Sequence, residues 1–208
     1  MKISLIALCA SGAFLTGTAQ SANLLVNPGF EQPAGTGYLS LPGSSATITG
    51  WTTVLNGVEW FNATAWGGAA DGVMVVDLAN YTYTGGGIEQ SFATEVGKTY
   101  DLAFSLGTLQ DYGRDGTAHV DVSVAGVTQG YDVVNHTGKL AWEAIELSFT
   151  AIAAQTTLRF TNTQSPYAHF ANIDAVSVLA APVPEPETYA MMLAGLGLVG
   201  FAARRSKP

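Results

Sequence analysis

A two-residue alternation of apolar and polar side chains recurs through the middle of the chain. Tyr100, Leu102, Phe104 and Leu106 alternate with Asp101, Ala103 and Ser105, the pattern of a strand with one face in a core. Val120, Val122 and Val124 alternate with Asp121 and Ser123, and Ala125-Gly126 begins a turn into residues 127–133. Ile145, Leu147 and Phe149 alternate with Glu146 and Ser148, and Leu158 and Phe160 with Thr157, Arg159 and Thr161. Residues 73–76 and 173–179 are more continuously apolar, as strands buried on both faces would be. No amphipathic helix and no fixed-period repeat interrupts these runs between Asn23 and Ala181. The spacing predicts eight to ten strands in one all-β domain over residues 23–181, a single antiparallel β-sandwich or jelly roll. A parallel α/β fold fits poorly.

Both ends read as addresses. Lys2 precedes an apolar run from Ile3 to Leu15, then small and polar residues lead to Ala22; residues 1–22 are expected to be a secretory signal peptide. The chain's one cysteine, Cys9, lies inside that run, so the exported product is expected to lack disulfides, thiolate ligands and a cysteine nucleophile. At the other end, residues 182–188 form a linker containing Pro184-Glu185-Pro186, which the two prolines keep extended. Residues 189–203 are apolar and read as a short transmembrane helix, with a basic tail over 204–208. At ~1.5 Å per residue such a helix falls short of a hydrocarbon core of about 30 Å. Its basic end should stay cytoplasmic, with the domain outside. Gly195, Gly197 and Gly200 match the spacing of a dinucleotide fingerprint, but only eight residues follow, too few for the helix and acidic residue that fingerprint needs.

The order of Pro184-Glu185-Pro186, a Gly-rich apolar helix and the Arg204-Arg205 cluster resembles the PEP-motif C-terminal sorting signal of Gram-negative bacteria. The resemblance implies a membrane-embedded exosortase as partner. It would cut near the motif after transient inner-membrane anchoring and leave the protein in the periplasm, at the outer surface or in the extracellular matrix.

Charge narrows the partners further. Between Asn23 and Val183, fourteen carboxylates face only Lys98, Arg114, Lys139 and Arg159, a net charge of about −10 that offers no basic stripe to phosphates. Nucleic acid is therefore not an expected partner.

Asn23-Leu24-Leu25-Val26-Asn27-Pro28-Gly29-Phe30-Glu31 opens the domain and Asn172-Ile173-Asp174-Ala175-Val176-Ser177-Val178 closes it. Between them lie Gly50-Trp51, Gly57-Val58-Glu59-Trp60, Val76-Asp77-Leu78 and Gly87-Ile88-Glu89-Gln90-Ser91-Phe92. This order resembles the galactose-binding-like jelly rolls, above all the wall-associated family of formerly unknown function found in plants and in exported bacterial proteins. The resemblance implies a carbohydrate-associated module with polysaccharide as partner. It also implies a structural Ca²⁺ between the chain ends, with Glu31 and Asp174 as ligands. Asp174 shares strand parity with Val176 and Val178, so regular pairing would point its carboxylate at the core, where it needs a cation or several N–H donors. The alternative is that both carboxylates accept backbone hydrogen bonds.

Flat aromatic rings cover sugar C–H faces at little entropic cost. Trp51 and Trp60 are assigned to the core. Trp66, in a small-residue loop, Tyr81 and Tyr83, before a run of three glycines, and Trp142, on the outward parity of Glu146 and Ser148, are the candidate sugar contacts, with Asp77, Asn80 and Glu89 beside them. The run Asp111-Tyr112-Gly113-Arg114-Asp115-Gly116 reads as a solvated hairpin turn. No G-x-S-x-G elbow and no paired histidine spacing is present. The expected function is an exported, surface-sorted, non-catalytic carbohydrate-binding module linked to exopolysaccharide or envelope. The alternatives are a structural matrix protein without a discrete ligand, or a glycoside hydrolase drawing a carboxylate pair from Glu59, Asp77, Glu89, Glu143 and Glu146.

Overall fold

The computed structural model describes residues 22–34, 37–79, 85–111, 113–164, 170–182, 193–199, 201 and 204. Eleven strands are described within them, one or more beyond the number expected. In chain order they are β1 (Tyr38–Leu41), β2 (Thr52–Leu55), β3 (Val58–Asn62), β4 (Met74–Asp77), β5 (Gly86–Ala93), β6 (Thr99–Thr108), β7 (Thr117–Val124), β8 (Val127–Val134), β9 (Ala141–Thr150), β10 (Gln155–Asn162) and β11 (Asn172–Ala180). A six-stranded sheet in the order β1-β3-β4-β11-β6-β9 packs on a five-stranded sheet in the order β2-β5-β10-β7-β8. Every pairing is antiparallel. The expected all-β sandwich is the fold.

The alternating segments became the long strands at the centre. Tyr100, Leu102, Phe104 and Leu106 of β6 face Val120, Val122, Leu158 and Phe160 across the core, and the Ala125-Gly126 turn joins β7 to β8. Phe104 meets Phe160 edge-on at 5.0 Å. Trp51 and Trp60 are buried in the same core. Each indole N–H is donated to a carbonyl of the opening segment: Trp51 to Asn27 O and Trp60 to Phe30 O, both at 3.0 Å.

That opening segment forms no regular strand, yet it is tied to both sheets. Leu24 N donates to Val178 O, Val176 N donates to Pro28 O, and the Asn23 side chain bonds Val176 O and Val178 N. Gln90 of β5 holds Val26 through its amide, accepting from Val26 N and donating to Val26 O. The segment thus seats the last strand and plugs the gap between the sheets with Leu25 and Phe30.

One expectation about β11 is corrected. Ala175 adopts φ 50°, and the register with β6 shifts between Asp174, opposite Ser105, and Ser177, opposite Ala103. The bulge adds one residue to β11 and reverses the parity across it. Asp174 therefore sits on the outer face of the six-stranded sheet, while Val176 and Val178 face the core.

Residues 193–199, with 201 and 204, are helical and exposed. No helix among the described residues is long and apolar enough to cross a membrane.

Replacing Trp60 by Phe should remove the donor to Phe30 O, leave that carbonyl unpaired in the core and cost about 1–3 kcal/mol. Guanidinium unfolding measures this. A Trp60→Phe chain as stable as the parent would show that the indole bond does not hold the opening segment.

Candidate functional site

Residues directly opposite in antiparallel strands share a face of the sheet. On the outer face of the six-stranded sheet the registers align Ser40, Glu59, Asp77, Asn172, Gly107 and Trp142 in one row across all six strands. The adjacent row, Leu39, Trp60, Val76, Ile173 and Leu106, faces the core.

The middle of this outer face is roofed by the connection from β3 to β4. Asn62 caps a 3₁₀ turn over Ala63–Trp66 by accepting from Thr64 N. The segment then reaches the far edge of the sheet, where Leu140 N donates to Trp66 O, Lys139 Nζ to Ala65 O and Trp142 Nε1 to Gly68 O. Its return is held by two carboxylates. Asp174 Oδ2 accepts from Ala70 N and Asp71 N, both at 2.8 Å, and Glu31 Oε1 accepts from Val73 N and Met74 N. Beneath the roof Phe61, Ala63, Val75, Leu109 and Leu140 form a second apolar cluster. Burial pushes the Asp174 carboxyl up to about 7, despite the amide bonds from Asp71, Ala175 and Ala70; the charge of Asp71 adds to the rise. Among the described residues no group of three or more acidic, histidine or cysteine side chains is gathered to hold a metal.

Asp77 is fully buried in the row. Arg114 Nη2 donates to its Oδ2 at 3.2 Å, and the same guanidinium lies 3.4 Å above the Phe170 ring. The turn expected to be solvated thus folds inward at Arg114, because a buried carboxylate needs a cation and an aromatic face accepts the planar guanidinium. Glu59, the cross-strand neighbour of Asp77, is also buried and accepts from the Tyr38 hydroxyl at 2.6 Å. Burial pushes the Asp77 carboxyl up to about 7 against the pull of Arg114 and the Ala79 amide, with the charge of Glu59 adding to the rise. Three buried side-chain polar atoms lack a partner among the described residues: Arg114 Nε, Asn172 Oδ1 and Thr108 Oγ1. All belong to this row or to its immediate neighbours.

Trp142 points outward, as its parity required, and lies on Gly107. A Cβ at Gly107 would stand 2.5 Å from the ring, so only glycine lets the indole lie flat there. Trp66 is not a free loop aromatic. It packs edge-on against Phe61 at 5.3 Å and joins the cluster under the roof. Glu89 is not brought to Asp77. It lies on the outer face of the other sheet, paired with Arg159 at 2.6 Å. Asn80, Tyr81 and Tyr83 lie outside the described residues, as do Pro184, Glu185, Pro186 and Arg205. Of the carboxylates weighed as a hydrolytic pair, Glu59 and Asp77 are adjacent but buried, while Glu143 and Glu146 are exposed. Sequence reasoning missed Arg114 and Tyr38 because neither partner is local: Asp77 lies 37 positions from Arg114, and Glu59 lies 21 from Tyr38.

The folded pKa of Asp77 lies above its unfolded value. Its contribution to stability is therefore fully present below about pH 4 and is lost as pH rises toward 7. Asp77→Asn, which cannot ionise, should gain in stability relative to the parent between pH 5 and pH 7.5, read by denaturant unfolding at each pH. A stability difference that does not change with pH would contradict the burial of an ionisable group there.

A family model described as "Protein of unknown function (DUF642)" matches residues 23–178, and one described as the PEP-CTERM protein-sorting motif matches residues 182–206. No curated protein matches. Among solved structures, TmCBM61 in complex with β-1,4-galactotriose is 19% identical, with 77% of this chain and 100% of that one covered and a TM-score of 0.46. Arabinose-bound MgGH51 α-L-arabinofuranosidase is 14% identical with a TM-score of 0.50 over 77% of this chain, which spans only 26% of that enzyme. A family 35 carbohydrate-binding module from Clostridium thermocellum is 17% identical with a TM-score of 0.45, covering 70% of this chain and 100% of the module. At these identities the likeness is one of fold. The sorting motif indicates an exported, cell-surface protein, and the chain, matched over residues 23–178, belongs to the DUF642 family.

Proposed function

We propose that this protein is a non-catalytic carbohydrate-binding module displayed at the cell surface, where it associates with exopolysaccharide or envelope glycan. The observation that carries the reading is Trp142. Its ring lies flat on Gly107 with the indole N–H held by Gly68 O, while part of the side chain remains exposed. A partly exposed aromatic fixed on a rigid strand can cover a sugar ring without losing further side-chain freedom. Beyond it the open part of the same sheet face supplies the hydroxyls of Ser105, Ser148 and Ser177 and the carboxylates of Asp101 and Glu146, the chemistry that orients a polyol. Of the other proposed contacts, Trp66 stands beside Trp142 at the roof, and Asp77 acts from within through Arg114. Asn80, Tyr81 and Tyr83 complete the proposal from outside the described residues, and Glu89 would serve only a ligand reaching the opposite sheet.

Sorting is part of the same reading. An exosortase would process the chain near Pro184-Glu185-Pro186 in a Gram-negative envelope, with residues 189–203 as a transient inner-membrane anchor and Arg204-Arg205 on the cytoplasmic side. A structural Ca²⁺ near the roof is proposed as well. Glu31 and Asp174, with Asp71 close enough to raise the Asp174 pKa, offer the hard oxygen donors this ion takes. The ion would supply charge compensation for carboxylates that now accept only amide hydrogens among the described residues.

Two measurements test these statements. Pull-down on insoluble and soluble polysaccharides should retain the chain on at least one polymer without release of reducing sugar; retention on none sinks the binding reading, and sugar release sinks its non-catalytic part. Chelation by EDTA should lower the melting temperature by several degrees, restored by added Ca²⁺. An unchanged melting temperature would leave the amide bonds of Glu31 and Asp174 as the whole of the clamp.

A further inference from the structure

The roof ends at the edge on Trp142 and, inside the sheet, on Asp174 opposite Ser105; past these it leaves the outer face of β6, β9 and the end of β11 open. Below the row of Asn172, Gly107 and Trp142, the registers set Ser105 beside Ala144, then Ser177, Ala103 and Glu146 in line, then Leu179, Asp101 and Ser148. The central strand β6 carries only Ala103, Ser105 and Gly107 above the sheet between Asp101 and the roof, so it forms a low floor. Glu146 and Ser148 of β9 and Leu179 of β11 stand higher on either side. The lower part of this face is an open hollow of about 380 Å³ lined by Asp101, Ala103, Glu146, Ser148, Ser177 and Leu179. From it the face continues up β9 to Trp142, which stands ~20 Å from Ser148 along the strand.

Dimensions and charge select the occupant. A trough one strand wide suits a single extended polymer chain, whereas a stable protein partner needs a face of about 800 Å². Asp101 and Glu146 are its ionisable groups, and β6, β9 and β11 contain no lysine or arginine. Ser148 Oγ donates to Asp101 Oδ1 at 2.8 Å, which leaves the carboxylate's remaining capacity turned to an incoming hydroxyl donor.

We infer that the trough along β6, from Trp142 to the Asp101–Ser148 pair, is the seat of an uncharged polysaccharide chain and discriminates against polyanionic glycans. This rests on the carbohydrate reading above and adds the place and the ligand class. A sugar ring stacks on Trp142, the following units lie over Ala103 and Ser105, and their hydroxyls donate to Asp101 and Glu146. A uronate or sulfated chain would bring negative charge against those carboxylates on a body already near −10.

The test uses the purified full chain with galactan, xylan, mixed-linkage glucan and mannan as neutral probes, and polygalacturonate and alginate as anionic ones. Isothermal titration gives the affinities. The parent should bind at least one neutral polymer and neither polyanion. Trp142→Ala should weaken that binding at least tenfold. Ala103→Gln, which fills the uncovered floor without touching the core, should do the same, and Thr128→Ala on the opposite sheet should not. Neutral binding undiminished in both trough variants overturns the location while leaving the carbohydrate reading in place. Binding of a polyanion by the parent overturns the ligand class. Absence of binding to any of the six probes, together with no retention on other glycans, overturns both this inference and the reading it rests on.

Discussion

Two indole N–H groups tie the opening segment to the core, and much of the architecture follows from that tie. Residues 23–31 have no strand ladder of their own, so their carbonyls need other donors once buried. Trp51 and Trp60 supply them at Asn27 and Phe30, Gln90 of β5 donates to Val26 O, and the segment's own Asn23 side chain bonds Val176 O and Val178 N of β11. With the segment seated, Glu31 stands where it can accept from Val73 and Met74. The core aromatics thereby control the position of a surface segment.

That segment, the roof between β3 and β4, divides the outer face of the six-stranded sheet into two environments. Under it, Asp77 and Glu59 are buried polar groups that depend on Arg114 and Tyr38. Beyond it, the small residues of β6 stay open to solvent. Gly107 stands at the boundary, since its lack of a side chain permits Trp142 to lie flat and the roof to end on the indole N–H. A rigid aromatic at the rim of a shallow trough is thus a product of backbone register, and the proposed sugar contact rests on the same geometry.

The alternating segments were legible because a half-buried strand must obey a period of two. β6, β7, β9 and β10 stand where that pattern put them, and the doubly buried β4 and β11 followed from their apolar runs. The four-residue strands β1 and β2 were too short to show a period. Asp174 misled because a single residue at positive φ, Ala175, reverses parity without leaving a sequence mark. Arg114 looked solvated because its partners Asp77 and Phe170 are remote in sequence, and Trp66 looked free because Phe61 and Leu140 reach it only through the tertiary fold. Glu89 and Asp77 seemed to be neighbours, yet they lie on strands of opposite sheets. Local pattern reveals which face a strand buries, while the assembly of a site depends on which strands become neighbours.

The proposed ligand surface is the outer face of the six-stranded sheet. Hydrogen exchange measured by mass spectrometry, with and without a saturating neutral oligosaccharide, addresses this directly. Protection gained in residues 101–107 and 141–148, with β7, β8 and β10 unchanged, is the expected result. Protection confined to the five-stranded sheet, or absent despite demonstrated binding, would contradict it.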